Sequence, residues 1–352
     1  MYCRGWLCHV RYWLSGLLLV TLSALAPAKC GEAFASSAKS LKVLVLTDAA
    51  GLGDKGFNDV CWQGVLKAKQ DFGLNARFLQ SREQADYVPN LTLAAQNADV
   101  VVTLGYLFVD ALQQVVPKFP NTRFVQIEGD VQGENIACFD FNSQEGGYLA
   151  GLVAGLFTRS GKVGAVSGMD IPPVEAYISG FRAGVKTAEK KRGRSIETLV
   201  ASAGSFNDPV KGKSLATALI GQGVDVIFRA AGNTGVGVIE AVKNASGVYL
   251  IAEDLDLDAE LPGKILTSTL KRMDVAVYDA LSSIVQDRFQ PGHHWLGIAQ
   301  GAVDITDMKY SRNLFTPDDL ECIQKARSLL EEGKILAPKS HSEVAQFQPP
   351  QL

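Results

Sequence analysis

Acidic and aromatic side chains gather in one short stretch of this sequence, directly after a run of apolar residues. The run VLVL at positions 43–46 leads to Asp48, and a loop with three glycines then separates this acid from Phe57 and Asn58. Because open α/β sheets bind ligands beside the carboxyl ends of their strands, a loop in this place predicts a ligand site. A carboxylate at the strand end and an aromatic ring at the helix start suit a ligand with both polar and flat parts.

The same loop matches two patterns that belong to other chemistry. Residues 51–56 fit the GxGxxG fingerprint of dinucleotide-binding proteins, but the next predicted strand ends in LQS at 79–81, where that fingerprint needs an acid. Asp48, Asp54 and Asp59 are similar to the N-terminal aspartate cluster of calcium-dependent nucleoside hydrolases. Acids are also common in a loop before a helix and in its first turn, where they cap backbone amides, so capping is the simpler interpretation.

A second phenylalanine lies in a loop of the other half of the chain. Phe206 belongs to the run SFNDP at 205–209, which follows a predicted strand and precedes a predicted helix, as the loop before Phe57 does. A single loop phenylalanine more often covers a core than carries a ligand. One ring from each half could nevertheless stack on the two faces of a flat ligand when the halves close.

Composition narrows the class of protein. The chain has 352 residues, which exceeds one ordinary core and predicts two domains, and its net charge of −3 gives no electrostatic footprint for nucleic acid. Neither cysteines nor histidines show metal-site spacing, so we expect no metal and no cofactor. After the leader the cysteines are at positions 30, 61, 138 and 322, and the histidines are at positions 293, 294 and 341. The cysteines within predicted helices and strands are expected to be buried free thiols.

The first 28 residues have the pattern of an export signal. Arg4 and Arg11 form a positive region before an apolar segment, residues 14–25, that is too short to span a bilayer, and the small residues APA follow at 26–28. We therefore expect the mature chain to be exported to the periplasm. Cys30 is the candidate residue for lipid attachment to the membrane.

Strands and helices alternate along the rest of the chain, and the rhythm occurs twice. Predicted strands lack polar alternation, which is typical of a parallel sheet covered by helices on both faces. The first half holds the strands before residue 142, and the second half repeats the pattern from about residue 144. The sequence therefore predicts an α/β protein with two similar lobes.

Six sequence blocks in order resemble the basic membrane protein family, the lipoprotein and nucleoside-binding subunits of bacterial importers, and the resemblance covers roughly residues 42–295. The blocks are residues 47–58 with DKGFN, 144–146 (QEG), 205–209 (SFNDP), 231–235 (AGNTG), 253–254 (ED) and 267–272 (TSTLKR).

The resemblance implies a type I periplasmic binding protein, in which two doubly wound parallel-sheet lobes are joined by a hinge of three chain crossovers. Under this reading, residues 42–139 and 255–270 form the first lobe, and residues 140–254 and 271–330 form the second. Residues 331–352 are expected to be a C-terminal tail.

The resemblance also implies roles for seven residues. Phe57 and Phe206 would stack on a nucleobase, Asp254 and Lys271 would hold ribose hydroxyls, Asp48 and Asn58 would face the ligand from the first lobe, and the backbone at Gly232 would approach it. An ion pair between Asp254 and Lys271 that only ties the crossovers together is the alternative for those two side chains.

The resemblance thus implies a receptor that captures nucleosides, with purine nucleosides favoured, and delivers them to an ABC permease in the inner membrane. We expect it to act as a monomer and not as an enzyme, because nothing in the residue set supplies a nucleophile or a base that activates water. A sugar-binding receptor of the same fold is the nearest alternative, and an exported nucleoside hydrolase is a more distant one.

Overall fold

The computed structural model describes residues 40–352, so the predicted export signal at 1–28 and Cys30 lie outside the described residues. Twelve strands are present in this part: β1 (Lys42–Thr47), β2 (Asn75–Gln80), β3 (Val100–Leu104), β4 (Arg123–Ile127), β5 (Ile136–Phe141), β6 (Lys162–Ser167), β7 (Glu197–Ser202), β8 (Val226–Ala230), β9 (Tyr249–Ala252), β10 (Ile265–Lys271), β11 (Gly292–Leu296) and β12 (Val303–Ile305).

The same part of the chain contains ten α-helices. They are α1 (Phe57–Phe72), α2 (Tyr87–Asn97), α3 (Val109–Val115), α4 (Ser143–Phe157), α5 (Pro172–Arg192), α6 (Pro209–Gly221), α7 (Thr234–Asn244), α8 (Met273–Val285), α9 (Pro317–Glu331) and α10 (His341–Gln346). Among residues 40–352, no helix combines the length and the apolar character needed to cross a membrane.

The strands form two six-stranded sheets, one in each lobe. The order in the first sheet is β11-β5-β4-β3-β1-β2, and the order in the second is β12-β10-β9-β8-β6-β7. All pairs are parallel except β10 with β12. The central strands are buried along their whole length, as β3 and β8 show, because helices cover both faces of each sheet. The prediction of two parallel-sheet α/β lobes is confirmed.

The chain crosses between the lobes three times. It leaves the first lobe after β5, near Asn142, returns to it after β10, near Arg272, and leaves it again after β11, near Gly297. Backbone hydrogen bonds tie these crossings together: the Asn142 amide donates to the Leu296 carbonyl, and the Arg272 amide donates to the Ala302 carbonyl. The predicted three-crossover hinge therefore matches the topology.

Helix packing at the hinge side of each lobe depends on small residues. In α4, a Cβ at Gly147 or Gly151 would collide with the backbone of α5, so the two helices lie in close contact along their length. In the first lobe, a Cβ at Gly64 of α1 would collide with the backbone at Asp274 of α8. Helix α8 therefore belongs to the first lobe by packing as well as by connectivity.

The predicted lobe boundaries differ from the structure at two places. Residues 255–270 were assigned to the first lobe, but β10 pairs with β9 and β12 and lies in the second sheet. Residues 271–330 were assigned to the second lobe, but α8 packs on α1 and β11 pairs with β5 in the first sheet. The physical reason is that the local βα rhythm is the same in both lobes and carries no signal for which sheet a strand joins.

The C-terminal residues 331–352 are part of the second lobe and not a free tail. Helix α10 lies on α5, where the Lys186 ammonium donates to the Val344 carbonyl at 2.6 Å and the Lys190 ammonium donates to the Pro349 carbonyl at 2.8 Å. Phe347 also packs edge-on against the buried Tyr148 ring of α4. A stretch rich in Gln, Pro and Ser is thus held by cations and one aromatic contact.

The cysteines that the structure describes, Cys61, Cys138 and Cys322, are buried free thiols, which confirms the prediction for Cys61 in α1 and Cys138 in β5.

Candidate functional site

A cleft between the two lobes lies at the carboxyl ends of the parallel strands. All seven residues singled out in the sequence line it: Asp48, Phe57, Asn58, Phe206, Gly232, Asp254 and Lys271. The long-range folding therefore brings together side chains from the first strand loop, the start of α1, the loop before α6 and the ends of β8, β9 and β10.

The loop after β1 is held in shape by its own acids. Asp54 is almost fully buried and accepts hydrogen bonds from the backbone amides of Gly56, Asn58 and Asp59 at 3.0, 2.9 and 3.2 Å. Asp59 accepts from the amides of Gly53 and Lys55. Two of the three clustered acids thus cap the loop and the first turn of α1, as the simpler interpretation proposed. Burial raises the pKa of Asp54 to about 6.

Asp48 and Asn58 face the cleft as a hydrogen-bonded pair. The Asn58 side-chain amide donates to Asp48 at 3.2 Å and to Asp54 at 3.1 Å, which fixes the orientation of the amide group. Burial raises the pKa of Asp48, and the bond from Asn58 opposes that shift. Within residues 40–352, no group of three or more His, Cys, Asp or Glu side chains has the arrangement of a metal site.

A buried ammonium group between two carboxylates lies at the base of the cleft. The Lys271 Nζ atom is 2.6 Å from a Glu128 oxygen and 3.5 Å from Asp254 Oδ1, and all three side chains are at least nine-tenths buried. Burial alone would lower the pKa of Lys271, but the carboxylates of Asp254 and Glu128 outweigh burial and hold this pKa well above its usual value. The ammonium therefore stays charged. We call Lys271, Glu128 and Asp254 the charge centre.

Tyr177 of α5 completes the surroundings of the charge centre. Its hydroxyl donates to Asp254 at 3.2 Å, and its ring lies under the Lys271 ammonium at 4.8 Å from the ring centroid. Burial raises the pKa of Tyr177 far above its usual value, so the hydroxyl remains a donor. Asp254 is thereby oriented by a neutral donor as well as by a cation.

The backbone at the charge centre adopts a conformation that residues with side chains rarely take. Glu128 has φ of 62° and Asp254 has φ of 64°, both in the left-handed region. Lys55, in the loop after β1, has φ of 50°. Such residues cost about 1–3 kcal/mol each and concentrate at sites where the surrounding structure holds them for function.

The two predicted phenylalanines line the cleft from opposite lobes, and both are half-buried. Phe57 starts α1, and its ring centroid is 5.7 Å from the Lys271 ammonium. Phe206 lies against the backbone of two glycines, since a Cβ at Gly168 would collide with its ring and a Cβ at Gly232 would lie 3.5 Å from its own Cβ. Glycine at these positions lets the ring lie flat on the loops of the second lobe.

The amide of Gly232 already has a partner. Glu253 accepts hydrogen bonds from the amides of Ala231 and Gly232 at 2.8 and 3.0 Å. Burial raises the pKa of Glu253 to about 7, although the Arg229 guanidinium, 3.7 Å away, opposes the shift. The loop at Gly232 therefore presents its surface to the cleft, while its donors hold Glu253.

The lining residues that sequence reasoning did not select include Glu128, Tyr177 and Glu253. Glu128 and Glu253 directly follow buried strands, β4 and β9, so the rule that selected Asp48 would have selected them too. Tyr177 lies within α5, where nothing in the local pattern separates it from a core tyrosine.

Polar contacts join the two lobes beside the cleft. The Lys55 ammonium pairs with Glu260 at 2.8 Å, and the Asn207 side chain donates to the Ala49 carbonyl at 2.8 Å. Both contacts join the loop after β1 in the first lobe to the second lobe. The structure therefore shows the lobes in a closed arrangement around the cleft.

Two doubly wound lobes that close on one cleft across a three-crossover hinge define a two-lobed solute-binding protein. This chain belongs to the Bmp family, described as ABC transporter substrate-binding protein PnrA-like, whose family model matches residues 41–336. It is a substrate-binding receptor and not an enzyme, and its class implies a ligand and a membrane permease as partners.

Individual proteins agree with this membership. An uncharacterised lipoprotein of Pyrococcus abyssi is 34% identical over 84% of this chain and 76% of its own length. The ABC transporter nucleoside-binding protein BmpA of Lactococcus lactis is 27% identical over 92% of this chain and 97% of its own length. The crystal structure of an ABC transporter solute-binding protein from Aeropyrum pernix K1 superposes with a TM-score of 0.82 at 28% identity, covering 87% of this chain and 96% of that one.

Proposed function

We propose that this receptor binds nucleosides, with purine nucleosides favoured, and delivers them to an ABC permease. The observation that carries the proposal is the combination of Phe57 and Phe206 from opposite lobes with the charge centre in one closed cleft. A nucleoside has a flat base for the rings and a sugar with vicinal hydroxyls for the carboxylates. The name of the Lactococcus lactis relative supports the same ligand class.

Each group in the cleft has a place in this proposal. Phe57 and Phe206 stack on the base, while Asp48 and Asn58 meet its polar edge. Asp254 accepts the ribose hydroxyls. The Lys271 ammonium has three donors, of which one is bonded to Glu128 at 2.6 Å, so a donor remains that can serve the sugar.

The expected energies are sufficient for a transport receptor. Stacking a base on an aromatic side chain contributes about 1–3 kcal/mol, and a hydrogen bond to a charged group contributes about 1.5–3 kcal/mol. Two rings and one carboxylate that accepts two hydroxyls can therefore offset the cost of ordering the ligand and still reach micromolar affinity, which needs about −8 kcal/mol.

Charge in the cleft favours a nucleoside over a nucleotide. Five carboxyl groups line it, those of Asp48, Asp54, Glu128, Glu253 and Asp254, and Lys271 is the lining cation among the described residues. A phosphate would enter a site with an excess of acids, and like charges in a buried place repel strongly. We therefore expect guanosine monophosphate to bind far more weakly than guanosine.

Export and membrane attachment through Cys30 are part of the proposal. The lipoprotein relative from Pyrococcus abyssi supports such an anchor, since a receptor for a membrane permease gains from being held near it. Mass spectrometry of the membrane-extracted protein tests this point, because a lipid on Cys30 adds a defined mass that Cys30→Ala removes.

Calorimetry on protein freed of bound ligand tests the ligand class. Guanosine, inosine and adenosine are expected to bind with micromolar or tighter affinity, more strongly than uridine or the free bases, and ribose alone is expected to bind weakly or not at all. Binding of ribose or another sugar in the absence of nucleoside binding would overturn the proposal in favour of a sugar receptor. Chromatography of the nucleoside after incubation adds a check, since release of free base would contradict a receptor role.

A further inference from the structure

Arg229 is a fully buried arginine near the end of β8 in the second lobe, with 0% of its surface exposed. It follows the apolar residues Val226, Ile227 and Phe228, which form part of the core. Burying a guanidinium is costly unless its donors have acceptors. An arginine in such a place therefore requires a specific set of partners.

The partners of Arg229 come from both lobes. Its Nη2 atom donates to the carbonyl oxygen of Lys55 in the first-lobe loop at 2.9 Å, across the closed interface. Within its own lobe, its Nε atom lies 3.7 Å from Glu253, the acid that holds the amides of Ala231 and Gly232. The guanidinium thus connects a first-lobe carbonyl to the second-lobe loop that lies against Phe206.

Two glycines lie close to the guanidinium, one in each lobe. A Cβ at Gly235, the second residue of α7, would lie 3.0 Å from the Arg229 side chain, and a Cβ at Gly56 would lie 3.4 Å from Nη2. Glycine at position 235 therefore permits the close approach of α7 to the guanidinium, while Gly56 lies in ordinary contact range of it from the first lobe.

We propose that Arg229 is the closure latch of this receptor, a positioning residue that holds the two lobes together through Lys55 and Glu253 without contacting the ligand. In the open state the Lys55 carbonyl moves away, and water replaces it at the guanidinium. The latch forms only when the lobes meet, so it slows the escape of a trapped ligand and does not select which ligand enters.

A second interlobe contact provides a matched comparison. The Lys55–Glu260 ion pair also joins the lobes, but both side chains are more than two-fifths exposed. Exposed pairs contribute little because water and salt screen them, whereas a hydrogen bond from a buried cation is among the strong ones. Glu260→Gln is therefore the control variant for Arg229→Met.

The exposed ion pair also reports closure directly. A carbodiimide joins an ammonium and a carboxylate that are in contact, so it traps Lys55 and Glu260 only when the lobes are closed. The Lys162–Glu197 pair, at 3.0 Å and within the second lobe, has similar exposure and gives an internal standard. Mass spectrometry then yields the ratio of the 55–260 product to the 162–197 product in ligand-free protein.

For Arg229→Met the ratio is expected to fall at least threefold from wild type. An unchanged ratio overturns the latch, as does a wild-type protein that forms the 162–197 product but no 55–260 product. Should Arg229→Met not fold, as judged by circular dichroism, the double variant Arg229→Met/Glu253→Gln removes the unpaired carboxylate and takes its place. This readout needs no ligand, so it decides the latch even where the proposed nucleoside function fails.

Ligand kinetics give the second readout, which rests on the proposed function. The dissociation rate of guanosine is expected to rise about tenfold in Arg229→Met and less than twofold in Glu260→Gln. The ratio of guanosine to adenosine affinity should stay as in wild type, because the latch contacts neither base. A changed preference between the two nucleosides, or an unchanged dissociation rate in a folded variant, would contradict the latch role.

Discussion

The two lobes share one strand order. At the cleft, each lobe contributes an acid from an equivalent position, but the two aromatic rings come from positions that are not equivalent. Glu128 follows β4 and Asp254 follows β9, which occupy the same place in their sheets, and both residues have left-handed backbones. The two acids approach Lys271 from opposite lobes. The charge centre is thus a product of the shared fold.

The aromatic rings do not follow this symmetry. Phe57 begins the helix after the first strand of its lobe, whereas Phe206 precedes the helix after the second strand of its lobe. Phe57 also packs against the first-lobe core, and Phe206 lies on glycine-rich loops. Equivalent positions bring two acids to one cation, while unlike positions allow two rings to face one ligand from different directions. Changes to the charge centre should therefore harm the whole fold, and changes to the rings should act mainly on the ligand.

The largest expected effect comes from Lys271→Met, which breaks the charge centre. It leaves Glu128 and Asp254 as two buried carboxylates without a cation, and breaking a buried pair costs about 3–5 kcal/mol. Urea unfolding should show a loss of that size, and calorimetry should show nucleoside binding weakened beyond detection. Lys162→Met, which removes an exposed pair, should change the free energy of unfolding by about 1 kcal/mol or less. Equal effects of the two variants would mean that the charge centre is not a stabilising element.

Substitutions of Asp254 and Glu128 should differ in how their effect on affinity depends on the sugar of the ligand. Asp254→Asn is expected to weaken guanosine binding about tenfold or more and 2′,3′-dideoxyguanosine binding much less, because the variant loses a charge-assisted bond that only the diol can make. Glu128→Gln, which removes the closer partner of Lys271, should weaken both ligands alike. Comparing the effect of the Asp254 substitution with the effect of removing the two ribose hydroxyls isolates the interaction between this side chain and the diol. Equal losses for both ligands in Asp254→Asn would assign Asp254 to the hinge and not to the sugar.

Substitutions of Phe57 and Phe206 should differ in their effect on stability and not in their effect on affinity. Phe206→Ala and Phe57→Ala are each expected to weaken nucleoside binding about tenfold, within the ~1–3 kcal/mol range of base stacking. Thermal unfolding without ligand should be lowered by Phe57→Ala, which removes a ring from the first-lobe core, and nearly unchanged in Phe206→Ala. A folded Phe206→Ala protein with wild-type affinity would show that this ring only covers the loop.

The pH dependence of stability gives a further comparison, and each lobe contributes one carboxyl to it. Burial raises the pKa of Asp54 from 3.8 to about 6 in the first lobe and that of Glu253 from 4.5 to about 7 in the second. A carboxyl whose folded pKa lies above its unfolded value binds its proton more tightly in the folded state, so its contribution to stability falls as the pH rises through that window.

Urea unfolding of wild type and Glu253→Gln at several pH values isolates the second-lobe contribution. Between pH 4.5 and 7 the difference in free energy of unfolding should shift in favour of the variant as the pH rises, because the glutamine does not titrate. Above pH 8 the difference should be constant. A difference that does not change with pH would mean that Glu253 does not titrate in this range.

Much of the fold could be predicted because parallel α/β structure has a strong local signal. Short, mostly apolar runs such as residues 43–46 and 100–104, rich in valine and bounded by polar loops, favour buried strands, and the helices between them follow from their spacing. The candidate site was predictable for the same reason, since ligand loops lie at strand ends. The rule places four of the predicted residues correctly at strand ends or in the loops that follow: Asp48, Phe57, Phe206 and Asp254. It would also have selected Glu128 and Glu253, which directly follow strands.

By itself, the sequence determined the alternation of strands and helices, the doubling of that pattern into two lobes, and the loops that carry acids and phenylalanines. Tertiary structure alone decided that β10 joins the second sheet and β11 the first, and that Glu128 meets Lys271, 143 positions further along the chain. It also decided that Arg229 reaches the carbonyl of Lys55. Periodicity reports only the faces that a segment buries, whereas these contacts depend on where the chain crosses between lobes, which is set by the packing of distant segments.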